Sequence, residues 1–96
     1  MRNPAFKSRG IRKKATSYEK SGEEIIFRLY HTNIVVIRPH EVVLNSGGYQ
    51  TVTTKRRMNE ILKEYNINYT VEAYKGDWYI NNLQEVPFFD GMKLPI

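Results

Sequence analysis

The chain predicts an α+β domain: a small antiparallel sheet of about five strands, ordered β-β-β-α-β-β, with one packed helix and a disordered basic arm in front. Three observations predict it. Residues 24–45 and 69–81 alternate apolar and polar side chains or run in β-branched residues. A single stretch, 53–65, carries apolar residues at helical spacing instead. Residues 1–22 have no apolar period at all.

The elements follow in order. In Glu24–His31, Ile25, Phe27 and Leu29 fall on one face, Ile26, Arg28 and Tyr30 on the other. His31-Thr32-Asn33 reads as a turn, and Ile34–Arg38 as a second strand. Pro39-His40 ends it, because proline cannot donate to a ladder. Glu41–Asn45 is a short third strand. Asn45-Ser46-Gly47-Gly48 is the strongest loop signal, two glycines permitting positive φ. Thr53 or Thr54 suits an N-cap, and Met58, Ile61, Leu62 and Tyr65 make one apolar stripe at i, i+3, i+4, i+7. Asn66-Ile67-Asn68 closes the helix, since asparagine tolerates the left-handed cap position. Tyr69–Lys75 and Trp78–Asn81 form a hairpin around Gly76-Asp77. The last segment, 82–96, is apolar without helical period, and Pro87 and Pro95 keep it extended. It is expected to wrap back over the sheet; the alternative is a hook for a partner protein through Phe88 and Phe89.

Composition narrows the function classes. Ninety-six residues hold one domain, assigned to 23–96 with the arm at 1–22. There is no cysteine, which excludes disulfides, thiolate metal sites and cysteine nucleophiles. No apolar run is long enough to span a membrane or to serve as a secretory signal. His31 and His40 lack metal-ligand spacing, and no carboxylate pair stands at acid–base spacing. The expectation is therefore no enzyme, no metal and no cofactor.

Charge is concentrated. The formal net charge is +5, yet residues 1–20 alone carry seven cations against Glu19. Arg9, Arg12, Lys13 and Lys14 are the densest part of that arm, which is suited to condense on a polyanion and release its counterions. A solubilising tail, or one that docks on an acidic protein face, is the alternative. A second basic cluster, Lys55-Arg56-Arg57, is placed in the first helical turn, where the dipole disfavours cations. An anion bound there by backbone amides, by Thr53 and Thr54, and by these three cations would turn that cost into a gain. Ser46, Gly47 and Gly48 would let it approach the backbone, and Tyr49 beside them is the best-placed aromatic for stacking an unpaired base. Against this, long basic side chains also swing into water, and most of the aromatics fill the core. The spacing is not that of a nucleotide-binding P-loop.

Three pieces of the chain carry a resemblance: Leu29–Val35; Leu44–Asn59, with its Asn-Ser-Gly-Gly-Tyr loop running into threonines and basic residues; and Trp78-Tyr79-Ile80. With Phe89-Asp90-Gly91-Met92, they make the region from Leu29 to Ile80 and the tail similar to small proteins of unknown function encoded by bacteriophages, including phages of cyanobacteria and actinobacteria. The basic arm lies outside that resemblance. It implies a viral origin and an accessory role, with no catalytic residues. The leading expectation is a non-enzymatic binding module in the cytoplasm of an infected bacterium, contacting nucleic acid. The alternative is a factor that grips a host or virion protein through its aromatic face or its tail.

Overall fold

The computed structural model describes residues 16–82 and 85–96. They form one α-helix, α1 (Val52–Glu64), and eight strands: β1 (Thr16–Ser21), β2 (Glu24–Leu29), β3 (Thr32–Ile37), β4 (Glu41–Leu44), β5 (Thr70–Tyr74), β6 (Asp77–Asn81), β7 (Glu85–Pro87) and β8 (Met92–Pro95). The α+β class and the antiparallel pairing agree with the sequence. The strands divide into two sheets, however: five strands in the order β1-β2-β3-β4-β8, and three in the order β5-β6-β7.

Three strands lie outside the expected five. Thr16–Ser21, read as the end of a flexible arm, pairs along its whole length with β2, from Thr16↔Leu29 to Ser21↔Glu24. Tyr18 supplies the packing, its ring 5.4 Å from that of Phe27. Residues 1–15, with Arg9, Arg12, Lys13 and Lys14, lie outside the described residues. The C-terminal segment does wrap back, and it adds a strand to each sheet: β7 beside β6, and β8 beside β4. Pro87 and Pro95 each end an edge strand, where a missing N–H leaves no ladder bond unmade.

The inner face of the five-stranded sheet and one stripe of α1 enclose the core. Phe27, Val35, Val42, Leu44, Met92 and Leu94 come from the sheet, Met58, Ile61 and Leu62 from the helix. Tyr65 completes the predicted stripe, its ring edge-on to Phe27 at 5.7 Å. In β3, Phe27 pairs with Val35 and Arg28 with Asn33, so Ile34 is the extra residue of a β-bulge. That bulge lets Ile34 and Val35, adjacent in sequence, both be buried. The three-stranded sheet contributes Val71, Trp78 and Ile80. Asn59 of α1 fixes its near edge, donating from Nδ2 to the Val71 carbonyl (2.9 Å) and accepting from the Val71 amide at Oδ1 (2.7 Å).

The helix ends as its residues require. Asn66 takes φ 58°, and the Ile67 amide donates back to the Leu62 carbonyl at 2.9 Å. Its start lies earlier than expected. Thr51, not Thr53 or Thr54, is the N-cap, its hydroxyl accepting from the Thr54 amide at 3.2 Å.

Candidate functional site

A cleft of about 630 Å³ opens at the N-terminal pole of α1. It is larger than the cleft of about 450 Å³ at the helix's other end, and lies within the size range of ligand pockets. Three segments build it. The β2–β3 turn supplies Leu29, Tyr30, His31 and Thr32, the loop before the helix supplies Ser46, Tyr49 and Thr51, and the helix supplies Thr53 and Thr54.

The turn is two residues long, Tyr30-His31, closed by the ladder pair Leu29↔Thr32. It falls one position before the predicted His31-Thr32-Asn33. Tyr30 takes φ 56°, a left-handed value that hairpins usually reserve for glycine. Its side chain is 71% exposed, and that of Tyr49, across the sequence in the second segment, is 70% exposed. The sequence named Tyr49 as an accessible aromatic; Tyr30 is its equal, and the signal for it was its place at the end of the strand face shared with Ile26 and Arg28.

The loop holds an anion, and that anion is the chain's own. One carboxylate oxygen of Asp90 accepts from the Ser46 amide and from its hydroxyl, both at 2.7 Å, and the other accepts from the Gly48 amide at 3.2 Å. Asn45 Oδ1 takes the Gly47 amide at 2.7 Å. Ser46, Gly47 and Gly48 thus form an amide nest of the kind the sequence implied, occupied from within. Gly47 is also tightly placed: a Cβ there would fall 2.9 Å from Thr32 Cγ2.

The basic cluster does not converge on this pole. With Thr51 as cap, Lys55, Arg56 and Arg57 lie beyond the third helical position, where the dipole has weakened, so the expected first-turn conflict is smaller than the sequence implied. The 100° step between neighbours then spreads them. Arg57 turns inward, 7% exposed, with Nη1 3.4 Å from Glu60 and its buried Nε without a partner among the described residues. Lys55 and Arg56 lie on the outward helix face with Lys63, beside Asn59 and Glu60. Thr54 is buried and its hydroxyl lies 3.0 Å from that of Thr51, while Thr53 is exposed at the cleft. At this pole the first helical amides, those of Val52 and Thr53, have no carbonyl a turn behind them.

The aromatic pair at the tail also separates. Phe88 is half-buried edge-on against Trp78, ring centroids 5.2 Å apart, and covers the indole. Phe89 alone is exposed, at 60%. No helix among the described residues is long and apolar enough to cross a membrane.

No curated protein and no solved structure matches the chain. The family model described as Kyanoviridae Gp96 protein matches residues 2–95, and so includes the basic arm as well as the cleft and the tail. The viral resemblance is therefore wider than the half of the chain on which the sequence motifs placed it. Over nearly its whole length, the chain belongs to the Kyanoviridae Gp96 family, a family of cyanophage proteins.

Proposed function

We propose that this phage protein is a non-catalytic accessory module that binds single-stranded nucleic acid in the cytoplasm of the infected bacterium. An unpaired base stacks in the cleft against Tyr30 and Tyr49, while the arm follows the phosphates. The observation that carries this reading is the exposure of both tyrosines at one cleft, one of them at a left-handed φ. Strain of that kind costs on the order of 1–3 kcal/mol and concentrates at functional positions. Stacking is indifferent to base identity, because every base has a π-face. Six cations and no acid occupy residues 1–15, and Lys55, Arg56 and Lys63 share the adjoining helix face.

The reading separates two contributions that one titration can measure. Anisotropy of a labelled oligothymidylate is followed with the full chain between 50 and 200 mM salt. Six engaged arm cations give a log–log salt slope of about −4. Replacing Arg9, Arg12, Lys13 and Lys14 by glutamine flattens that slope by about 3, at roughly 0.7 per cation. Tyr30→Ala and Tyr49→Ala each weaken binding by about tenfold or more and leave the slope unchanged. Binding that is salt-insensitive, or absent at 50 mM salt, removes the proposal.

A further inference from the structure

The cleft at the N-terminal pole of α1 has walls without fixed charge. Tyrosine rings and the hydroxyls of serine and threonine line it, over the buried side chains of Leu29 and Ile34. Among the described residues no Asp, Glu, Lys or Arg does so. His31 does, and histidine is the side chain that exchanges its charge across the physiological pH range. It is exposed and stands beside Tyr30 in the two-residue turn, so one rim presents a ring and an imidazole together.

Stacking alone leaves a nucleotide half held. A base is joined to its phosphates through one sugar, so a base stacked on Tyr30 or Tyr49 brings a phosphate to the rim. The cations of the described chain are committed or placed elsewhere. Arg28 donates from Nε to Asn33 Oδ1 at 2.8 Å, beside the same hairpin. Arg57 is turned inward towards Glu60. Lys55 and Arg56 border a separate recess on the outward helix face. Arg38 is spent beyond the far end of β3, its guanidinium's pKa held above the ordinary value by hydrogen bonds to Glu41 and then Glu24. The groups around His31 are thus the phenols of Tyr30 and Tyr49, the Arg28–Asn33 pair, the Asp90 carboxylate taken up by Ser46 and Gly48 in the opposite loop, and Lys55 one turn into the helix.

We infer, on that stacking reading, that His31 is the phosphate ligand of the cleft: its protonated imidazole donates to a phosphodiester oxygen of the nucleotide stacked beside it. A neutral imidazole donates from one nitrogen, whereas an imidazolium donates from both and adds a charge-assisted bond. The phosphate favours the protonated ring and the protonated ring favours the phosphate, so binding takes up a proton and affinity rises as pH falls. Lysine and arginine keep their charge across the same range, so the arm adds affinity without this pH dependence. His40, the other histidine of the chain, lies in the β3–β4 turn, where its carbonyl accepts from the Ile96 amide at 3.1 Å. It does not line the cleft and serves as the control.

Anisotropy of a labelled oligothymidylate tests this, with the full chain between pH 5.5 and 7.5 at fixed ionic strength. Neither a phosphodiester nor thymine exchanges a proton in that range. Affinity is expected to be about threefold higher at pH 5.5 than at pH 7.5. The log–log salt slope is expected to steepen by about 0.7, the increment of one further phosphate contact on a single strand. His31→Gln loses most of both changes and His40→Gln keeps both. The N-terminal amine is common to every variant, so the difference between the wild-type chain and His31→Gln isolates the imidazole. Circular dichroism melts at each pH establish that the variants are folded. A His31→Gln protein with the wild-type pH profile overturns the inference and leaves the stacking reading standing. So does a pH gain with no change in salt slope, because the proton then serves a base edge and not a phosphate. Absence of binding at 50 mM salt over the whole range removes both.

Discussion

The first two hairpins of the five-stranded sheet solve one geometric problem in two ways. Each is a two-residue turn closed by a ladder pair, Ser21↔Glu24 in one and Leu29↔Thr32 in the other. Each needs a left-handed first residue, φ 62° at Gly22 and 56° at Tyr30. The β1–β2 turn uses glycine, which reaches that φ without a Cβ penalty, and open space surrounds it. The β2–β3 turn uses a tyrosine and accepts a cost of about 1–2 kcal/mol. The second turn lines the cleft at the helix N-terminus. Of these two turns the strained one presents an exposed ring at the cleft, whereas Lys75, at φ 53° in the β5–β6 turn, carries the same backbone away from it.

Substitutions at the left-handed positions break or sharpen that contrast. The largest effect is expected at Gly47, φ 66°, where alanine meets both the backbone penalty and Thr32. Gly47→Ala should lose about 2–4 kcal/mol in urea unfolding, enough to unfold much of so small a domain. Asp90→Ala follows at about 2–3 kcal/mol, since it strips three hydrogen bonds from the neighbouring loop. Its near-ultraviolet tyrosine signal should change with the unfolding midpoint. Gly22→Ala should cost only about 1 kcal/mol, the conformational term without a steric one. The smallest stability change has the opposite sign. Tyr30→Gly should raise unfolding free energy by up to about 1 kcal/mol while lowering oligonucleotide affinity about tenfold. A Tyr30→Gly protein that is less stable, or that binds as before, would dissolve the contrast between the turns.

Much of this fold was legible, and the exceptions have physical causes. β2, β3, β4, β5 and β6 alternate or carry β-branched runs, and α1 carries its stripe, so local pattern and tertiary burial agree. Thr16–Ser21 has one large apolar residue among polar ones. It is a strand because β2 offers it a ladder and Phe27 offers Tyr18 a ring, and neither is local. Met92-Lys93-Leu94 does alternate, but Pro87 and Pro95 read as signs of an extended cover wrapped over the sheet rather than of edge strands within it. In the site, the glycine loop and its affinity for an anion were readable; the anion was not, because Asp90 lies 44 residues from Ser46. The inward turn of Arg57 was within reach. It stands four residues before Ile61 and three after Thr54, on one edge of the buried face. Reading the three cations as a block concealed that each points in its own direction.

Asp90 sits between β7 and β8, in the stretch of chain that carries the three-stranded sheet over to the five-stranded one. Its carboxylate therefore ties the rim of the cleft to the joint between the sheets, and the Gly91 amide, bound to the Leu44 carbonyl at 2.8 Å, adds a second tie. Opening either end should expose the other, so the amide protons of rim and joint are expected to exchange together as one cooperative unit. Whatever a ligand gains by quieting the rim is felt equally at a connection it never touches.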